Sequence, residues 1–160
     1  MPFSLAVESP LQDDVRELVR ELNAYLNPLS PKEFQFQMTV EQMADPATTL
    51  FVARDETGRA VGMGALKVHA ADMAEVKRMY TRPEVRGKRV GRAILEAVER
   101  LAREKGIRML KLETGVGEGF VPAHRVYERS GFRACDAFLD YPDSGYSAFF
   151  EKRLDELVLR

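Results

Sequence analysis

The sequence lacks the features that would mark several other classes of protein. Its one cysteine, Cys135, excludes an internal disulfide framework. Its two histidines, His69 and His124, lie too far apart to form a recognisable metal-ligand spacing, so no metal site is predicted. No apolar run approaches the roughly 18 residues of a membrane span, and the N-terminus has no signal-peptide pattern. We therefore expect a cytoplasmic protein that does not enter a membrane.

An excess of charge of either sign is also absent. Lys and Arg total 24 against 25 Asp and Glu, which gives a net charge of −1. This balance removes the general electrostatic argument for a nucleic-acid partner. The length of 160 residues suits one compact domain over residues 1–160, and we see no repeat, linker or low-complexity segment.

The hydrophobic pattern predicts alternating strands and helices joined by short connections. Strands are predicted at 3–8, 49–54, 60–69, 73–81, 107–113, 132–138 and 146–152. Helices are predicted at 11–26, 31–44 and 121–130, with a long amphipathic helix from Val90 that stops before Gly106. The first helix would carry Leu11 on its apolar stripe, and the second would be capped by Ser30. This order favours an α/β fold, a mixed sheet with helices on both faces.

A basic, glycine-containing turn stands between the strand that ends at Thr81 and the long helix. It reads Arg86-Gly87-Lys88-Arg89-Val90-Gly91-Arg92. A strand that passes through such a turn into a helix points unpaired backbone N–H groups and the positive end of the helix dipole at one spot. The turn therefore predicts a site for phosphate or pyrophosphate, against the alternative of a solvated basic turn.

The stretch from Glu75 to Leu95 resembles the coenzyme A-binding segment of the GCN5-related N-acetyltransferases (GNAT), whose motif reads Gln/Arg-x-x-Gly-x-Gly/Ala. Arg86 and Gly91 fill the outer positions, and Arg89 stands where the inner glycine usually does. Because a non-glycine residue at positive φ is strained, we expect Arg89 to keep helical or bridge dihedrals.

A second motif follows about thirty residues later. The segment from Ala123 to Phe132 resembles the family's later motif, in which a tyrosine, here Tyr127, precedes Gly131-Phe132. Phe120 occupies the place of an asparagine common in the family. The resemblance covers roughly residues 50–153. It implies a mostly antiparallel sheet of about six or seven strands that splays between the fourth and fifth.

The resemblance also implies how acetyl-CoA, the acyl donor, would bind. Its pantetheine arm would pair with the backbone of Met79 and Thr81, with Tyr80 between them. Its phosphates would meet the turn, whose candidate contacts are Arg86, Gly87, Lys88, Arg89, Val90, Gly91 and Arg92. Within the turn, the main candidates are the amides of Gly87, Lys88 and Gly91 and the side chains of Arg86 and Lys88.

Two residues are candidates for the catalytic groups. An alkyl amine has a pKa of about 10 and must lose a proton before it attacks a thioester. Glu75, eleven residues before Arg86, stands where family members place a general-base glutamate, and Tyr127 matches the family's acid. The alternatives are that Glu75 is a paired structural carboxylate and that Tyr127 is a packed aromatic residue.

The function implied is an acetyl-CoA-dependent N-acetyltransferase that acts on a primary amine of a small metabolite by direct attack in a ternary complex. The acidic and aromatic residues of the loop from Asp136 to Tyr146 would suit a cationic acceptor, amino-acid-like or polyamine-like, and a solvated acidic loop is equally consistent with them. Two alternatives remain open: a coenzyme A-binding sensor without turnover, and transfer of another acyl group. A homodimer is the family's common habit.

Overall fold

A computed structural model describes residues 2–154, in which seven strands form one mixed sheet in the order β1-β2-β3-β4-β5-β7-β6. The strands are β1 Phe3–Val7, β2 Thr48–Asp55, β3 Ala60–Ala70, β4 Met73–Thr81, β5 Met109–Gly115, β6 Arg133–Cys135 and β7 Ser147–Arg153. Neighbouring strands are antiparallel except β4 and β5, which run parallel. The predicted mixed sheet is confirmed.

Helices cover both faces of the sheet. They are α1 Asp13–Leu26, α2 Val40–Met43, α3 Val90–Glu104 and α4 Val121–Arg129. One apolar cluster joins α1 and α2 to the sheet, and a second joins α3 and α4 to its other face. Within the described residues no helix has the length and apolar character needed to cross a membrane.

The long helix α3 is anchored by a stripe of buried residues at helical spacing. Val90, Ile94, Val98 and Ala102 are all almost fully buried, whereas Arg92 and Glu96 face outward and pair with each other. Burial of this stripe in the core fixes the start of α3 beneath the end of β4. The basic turn is thereby held at one edge of the sheet.

The strands β4 and β5 are paired over only three positions. Met73 to Glu75 lie beside Met109 to Lys111, and the pairing ends there. Beyond Glu75, β4 continues beside β3 to Thr81, and β5 continues beside β7 to Gly115. The two strands therefore enclose a wedge-shaped gap, as the sequence resemblance implied.

A bulge interrupts β4 next to this gap. The register with β3 shifts between Lys77, opposite Ala65, and Tyr80, opposite Met63. Arg78 lies in the shifted stretch with φ of 55°, in the left-handed region. A bulge lets two consecutive residues point to the same face. Lys77 and Arg78 both point to the α1 side, since they contact Tyr141 and Asn23, respectively.

Three local predictions were wrong. The expected helix at 31–44 is a short 3₁₀ turn, Lys32–Phe34, followed by extended chain and then α2, whose N-cap is Thr39 instead of Ser30. The rings of Phe34 and Phe36 pack against Tyr146 and Tyr141 in the loop before β7, and these contacts favour the extended chain over a helix. The strand at 132–138 is limited to β6, and Leu11 is exposed because α1 begins at Asp13.

Candidate active site

The gap between β4 and β5 presents free backbone groups. The Arg82 N–H donates to the Val61 carbonyl, so the preceding residue, Thr81, points its own N–H and C=O away from β3. The same alternation directs the backbone of Met79 away from β3. Since β5 does not pair here, an extended ligand can pair with these groups. The backbone of Met79 and Thr81, the residues predicted to pair with the pantetheine arm, therefore faces the gap.

The side chains of these predicted donor-site residues point to opposite faces. The Met79 thioether lies on the α3 side of the sheet. It covers Gly64 of β3, where a Cβ would lie 2.4 Å from the Met79 Sδ. The buried Tyr80 ring packs on the α1 side, and its hydroxyl donates to Glu21. Neither side chain lies free in the gap, so these positions contribute mainly backbone.

The basic turn has the geometry of an anion cradle. The N–H groups of Gly87, Arg89, Val90, Gly91 and Arg92 donate to no backbone carbonyl within the described part of the chain. The N–H of Lys88, also a predicted phosphate contact, instead donates to the Val85 carbonyl. They stand at the N-terminus of the 15-residue helix α3, whose dipole adds positive potential. Gly87 has space around it, with no atom within 4 Å of a built Cβ. These features fit a diphosphate.

The backbone of one cationic residue of the turn differs from expectation. Arg89, the N-cap of α3, has φ of 65° and ψ of 16°, which is left-handed. The prediction of helical or bridge dihedrals at Arg89 was wrong. The chain must reverse sharply between β4 and α3, and Gly87 is left-handed as well. The Arg86 guanidinium lies 5.6 Å from the ring centre of Tyr25, so α1 helps to position this cation.

Glu75 is buried at the point where the strands separate. Its residue exposure is 2 %, and it faces the α1 side of the sheet. Its Oε1 lies 2.8 Å from His69 Nε2, and its Oε2 accepts a 2.5 Å hydrogen bond from the Tyr141 hydroxyl. Lys77 Nζ lies 3.4 Å from Oε2. Glu75 is therefore not a solvated surface carboxylate, and both its oxygens have partners.

The loop between β6 and β7 closes over this carboxylate. Tyr141 accepts a 2.7 Å hydrogen bond from Lys77 and packs edge-on against Phe36 and Phe138. Burial, followed by the nearby charge of Glu75, raises the pKa of Tyr141 above its ordinary value. Tyr141 thus stays protonated and donates to Glu75. The sequence marked it only as a loop aromatic, because its partner lies 66 residues away.

On the other wall of the gap, Glu113 of β5 is a second carboxylate. It is half-buried and accepts a 2.6 Å hydrogen bond from Ser147 Oγ. Desolvation raises the pKa of Glu113, against the lowering effects of Ser147 and Lys77. In the sequence, Glu113 is marked only as the last residue of the strand predicted at 107–113. Its position opposite Phe149 in the β5–β7 ladder was not visible from the sequence.

Tyr127 lies below the gap in α4, packed between Phe132 and Phe150. It is 8 % exposed. Burial and then the charge of Glu113 raise its pKa, so its hydroxyl keeps its proton at neutral pH. Tyr127 is therefore a packed aromatic residue that also lies within the electrostatic reach of a gap carboxylate. The two interpretations left open for this residue are compatible.

The end of β5 is shaped by Phe120, which precedes α4. Its ring covers Gly115 so closely that a Cβ there would lie 2.3 Å from ring atoms. His124 Nε2 lies 2.8 Å from the Gly115 carbonyl oxygen. The position of the family's asparagine is thus occupied by an apolar wall. The described residues hold no group of three or more His, Cys, Asp or Glu side chains arranged for a metal ion.

A family model for the acetyltransferase (GNAT) family matches residues 14–132. The chain belongs to this family. An IAA acetyltransferase from Azospirillum brasilense is 39 % identical over 152 residues, which are 94 % of this chain and 97 % of that protein. These likenesses identify the GNAT protein described here as an acetyltransferase enzyme, and acetyltransferases of this fold use acetyl-CoA.

Solved structures agree with this family assignment. A Klebsiella pneumoniae protein assigned to the acyl-CoA N-acyltransferases has a TM-score of 0.79 and 28 % identity, over 95 % of this chain and 97 % of that one. The PaiA N-acetyltransferase of Thermoplasma acidophilum, in complex with coenzyme A, has a TM-score of 0.75 over 96 % of this chain and 99 % of that one. At 20 % identity, the latter likeness supports the fold alone.

Replacing Arg89 tests the left-handed turn. Left-handed backbone at a non-glycine residue destabilises the folded state by roughly 1–2 kcal/mol. Glycine removes this strain, but its more flexible unfolded chain offsets part of the stabilisation. We expect Arg89→Gly to raise the free energy of unfolding by about 1 kcal/mol in urea titration. Lys88→Gly is the matched control, because Lys88 lacks a positive φ. It should lower stability, and equal effects of the two variants would contradict the assignment of strain.

Replacing Glu113 tests its raised pKa. A carboxyl whose pKa is higher in the folded state stabilises the protein below its unfolded pKa, near 4.5, and this stabilisation is lost as pH rises through the folded pKa. The Tm advantage of Glu113→Gln over the wild type should therefore grow from pH 4 to pH 8. Ser147→Ala removes a hydrogen bond that lowers the pKa and should steepen the wild-type dependence. An advantage that shrinks with pH would contradict the assignment.

Proposed function

We propose that this enzyme transfers the acetyl group of acetyl-CoA to a primary amine of a small metabolite, by direct attack in a ternary complex within a single domain. The observation that carries the proposal is the gap between β4 and β5, which has an anion cradle at one end and the carboxylates of Glu75 and Glu113 along it. A gap with those contents can hold a thioester beside an amine.

The donor would lie extended along β4. The free amides of the cradle would hold its diphosphate, with Arg86 and Lys88 as cationic neighbours. The backbone of Met79 and Thr81 would pair with the pantetheine arm as a neighbouring strand does. These contacts would aim the thioester into the gap, where the acetyl group becomes available to an amine.

Glu75 would remove the proton of the attacking amine. Because its two oxygens already interact with His69 and Tyr141, we infer that the proton reaches Glu75 through a bridging group or water. This arrangement supports the role of base or water-positioning residue. The amine, once neutral, attacks the thioester carbonyl carbon and forms the C–N bond.

Tyr127 would assist the departure of sulfur. Its hydroxyl is protonated at neutral pH, as that of an ordinary tyrosine is, and burial raises its pKa further. As the C–S bond breaks, Tyr127 would donate toward the leaving thiolate and stabilise its charge. The ammonium loses one proton to Glu75 before the attack, and its nitrogen loses a second as the tetrahedral intermediate collapses. The sulfur gains one proton from Tyr127, which is then reprotonated, and the other proton is released to solvent, so the products are the amide and coenzyme A.

A second candidate function is a coenzyme A-binding module without turnover. The observation that favours it is Phe120, whose ring covers Gly115 at the end of β5 where relatives place a polar residue. Thiol release in the presence of a panel of primary amines separates the two functions. Calorimetric binding of acetyl-CoA with no thiol release would favour the module, and release with propionyl-CoA alone would favour another acyl donor.

Tyr127→Phe tests the acid. The change removes one hydroxyl and leaves the ring packed against Phe132 and Phe150. We expect kcat to fall by about 10²-fold while the Kd for coenzyme A stays within a factor of two. Thiol release measured by absorbance and binding measured by calorimetry check both values. A kcat that stays unchanged would exclude Tyr127 as the proton donor.

Glu75→Gln tests the base. We expect kcat/KM for the amine to fall about 10²- to 10⁴-fold at neutral pH, with the affinity for coenzyme A retained. Glu151→Gln is the matched control, because Glu151 is a half-buried strand carboxylate paired with Lys111 outside the gap. It should leave the pH–rate profile intact. An unchanged rate in the Glu75 variant at neutral pH would remove this residue from the base role.

A further inference from the structure

Arg78 is a buried cation at the bulge in β4, on the α1 side of the sheet. Its residue exposure is 8 %, and it lies on the same face as Glu75 and Lys77. Its only hydrogen bond among the described residues runs from Nη2 to Asn23 Oδ1 in α1. Its Nε is buried and has no hydrogen-bond partner. Desolvation lowers its pKa to about 10.

The chain treats its other buried or half-buried arginines on this face differently. Arg82, four residues later and 5 % exposed, pairs with both Glu17 and Glu21. Arg54 pairs with both Glu8 and Asp14. Within residues 2–154, no carboxylate lies within 4.0 Å of the Arg78 guanidinium. An unpaired buried charge is costly, so it indicates a partner supplied from outside.

A cavity lies beside Arg78 on the same face of the sheet. Lys77, the neighbour of Arg78, lines this cavity of about 630 Å³, whose other charged lining residues are Lys67, Glu41 and Asp45. Glu75, the proposed base for the amine, lies three residues before Arg78 in β4, at most about 10 Å away along the strand. Long side chains at these two positions can converge on one small molecule.

We propose that the acceptor is an amino acid or related amino carboxylate, whose carboxylate pairs with the guanidinium of Arg78 while its amine approaches Glu75. This proposal rests on the proposed function and selects the amino-acid-like acceptor over the polyamine-like one. A guanidinium binds a carboxylate through two parallel hydrogen bonds, and Nε with one Nη is a common donor pair. The orphaned Nε is available for this role.

Turnover of matched acceptor pairs tests the proposal. The panel consists of L-amino acids, each beside its amide and its decarboxylated amine, assayed by thiol release from acetyl-CoA. For the best substrate, the wild type should prefer the amino acid by at least about 10-fold in kcat/KM. Arg78→Gln should abolish that preference through KM, with kcat changed less and the Kd for coenzyme A unchanged. Arg78→Lys should restore it in part.

A preference for amides or decarboxylated amines in the wild type would overturn the proposal. So would a preference for the amino acid that survives in Arg78→Gln. Failure of the proposed function looks different, because no amine would then release thiol. In that case simple carboxylates at millimolar concentration serve as probes: they should raise the Tm of the wild type and not that of Arg78→Gln, and equal shifts would refute the site.

Thermal stability distinguishes a ligand-binding role of Arg78 from a purely structural role. If Arg78 awaits a ligand, Arg78→Gln should unfold at the same temperature as the wild type or higher, because an unpaired charge leaves the core. The control, Arg82→Gln, should unfold at a lower temperature because it strands two carboxylates. A drop in Tm for Arg78→Gln as large as that for Arg82→Gln would assign Arg78 to holding α1 on the sheet.

Discussion

The separation of β4 from β5 after three residue pairs is the constraint on which the site depends. Continued pairing would cover the backbone groups of Met79 and Thr81 and close the space between Glu75 and Glu113. Beyond the separation, β4 stays paired with β3, and β5 stays paired with β7. The unsatisfied edge is costly in isolation, and an extended ligand removes that cost.

The charges around the gap are arranged differently from those elsewhere in the molecule. On the outer part of the α1 face, Arg54 and Arg82 each pair with two carboxylates. In and beside the gap, Glu113 has a raised pKa, and Arg78 has no carboxylate partner among residues 2–154. Such groups lower stability in the free protein, and perturbed groups of this kind collect at functional sites.

Much of the fold could be predicted because hydrophobic periodicity reports which face of an element is buried. The stripe of α3 and the apolar stretches of β3 and β4 located these elements to within a few residues. The prediction of a helix at 31–44 was wrong because the aromatic residues of this segment pack on a distant loop, and the local sequence pattern does not encode that contact. The prediction of the Arg89 dihedrals was wrong because the sharp reversal of the chain before α3 overrides the conformational preference of the residue.

The sequence by itself determined the cradle, since a basic glycine turn before an amphipathic helix produces free amides through local backbone geometry alone. It also marked Glu75 and Tyr127 through two ordered motifs. Only the tertiary structure decided which side chains surround them. Tyr141 reaches Glu75 across 66 residues, and Arg78 meets Asn23 across 55. Whether a buried charge finds a partner depends on packing between elements far apart in the chain, and no local pattern carries that information.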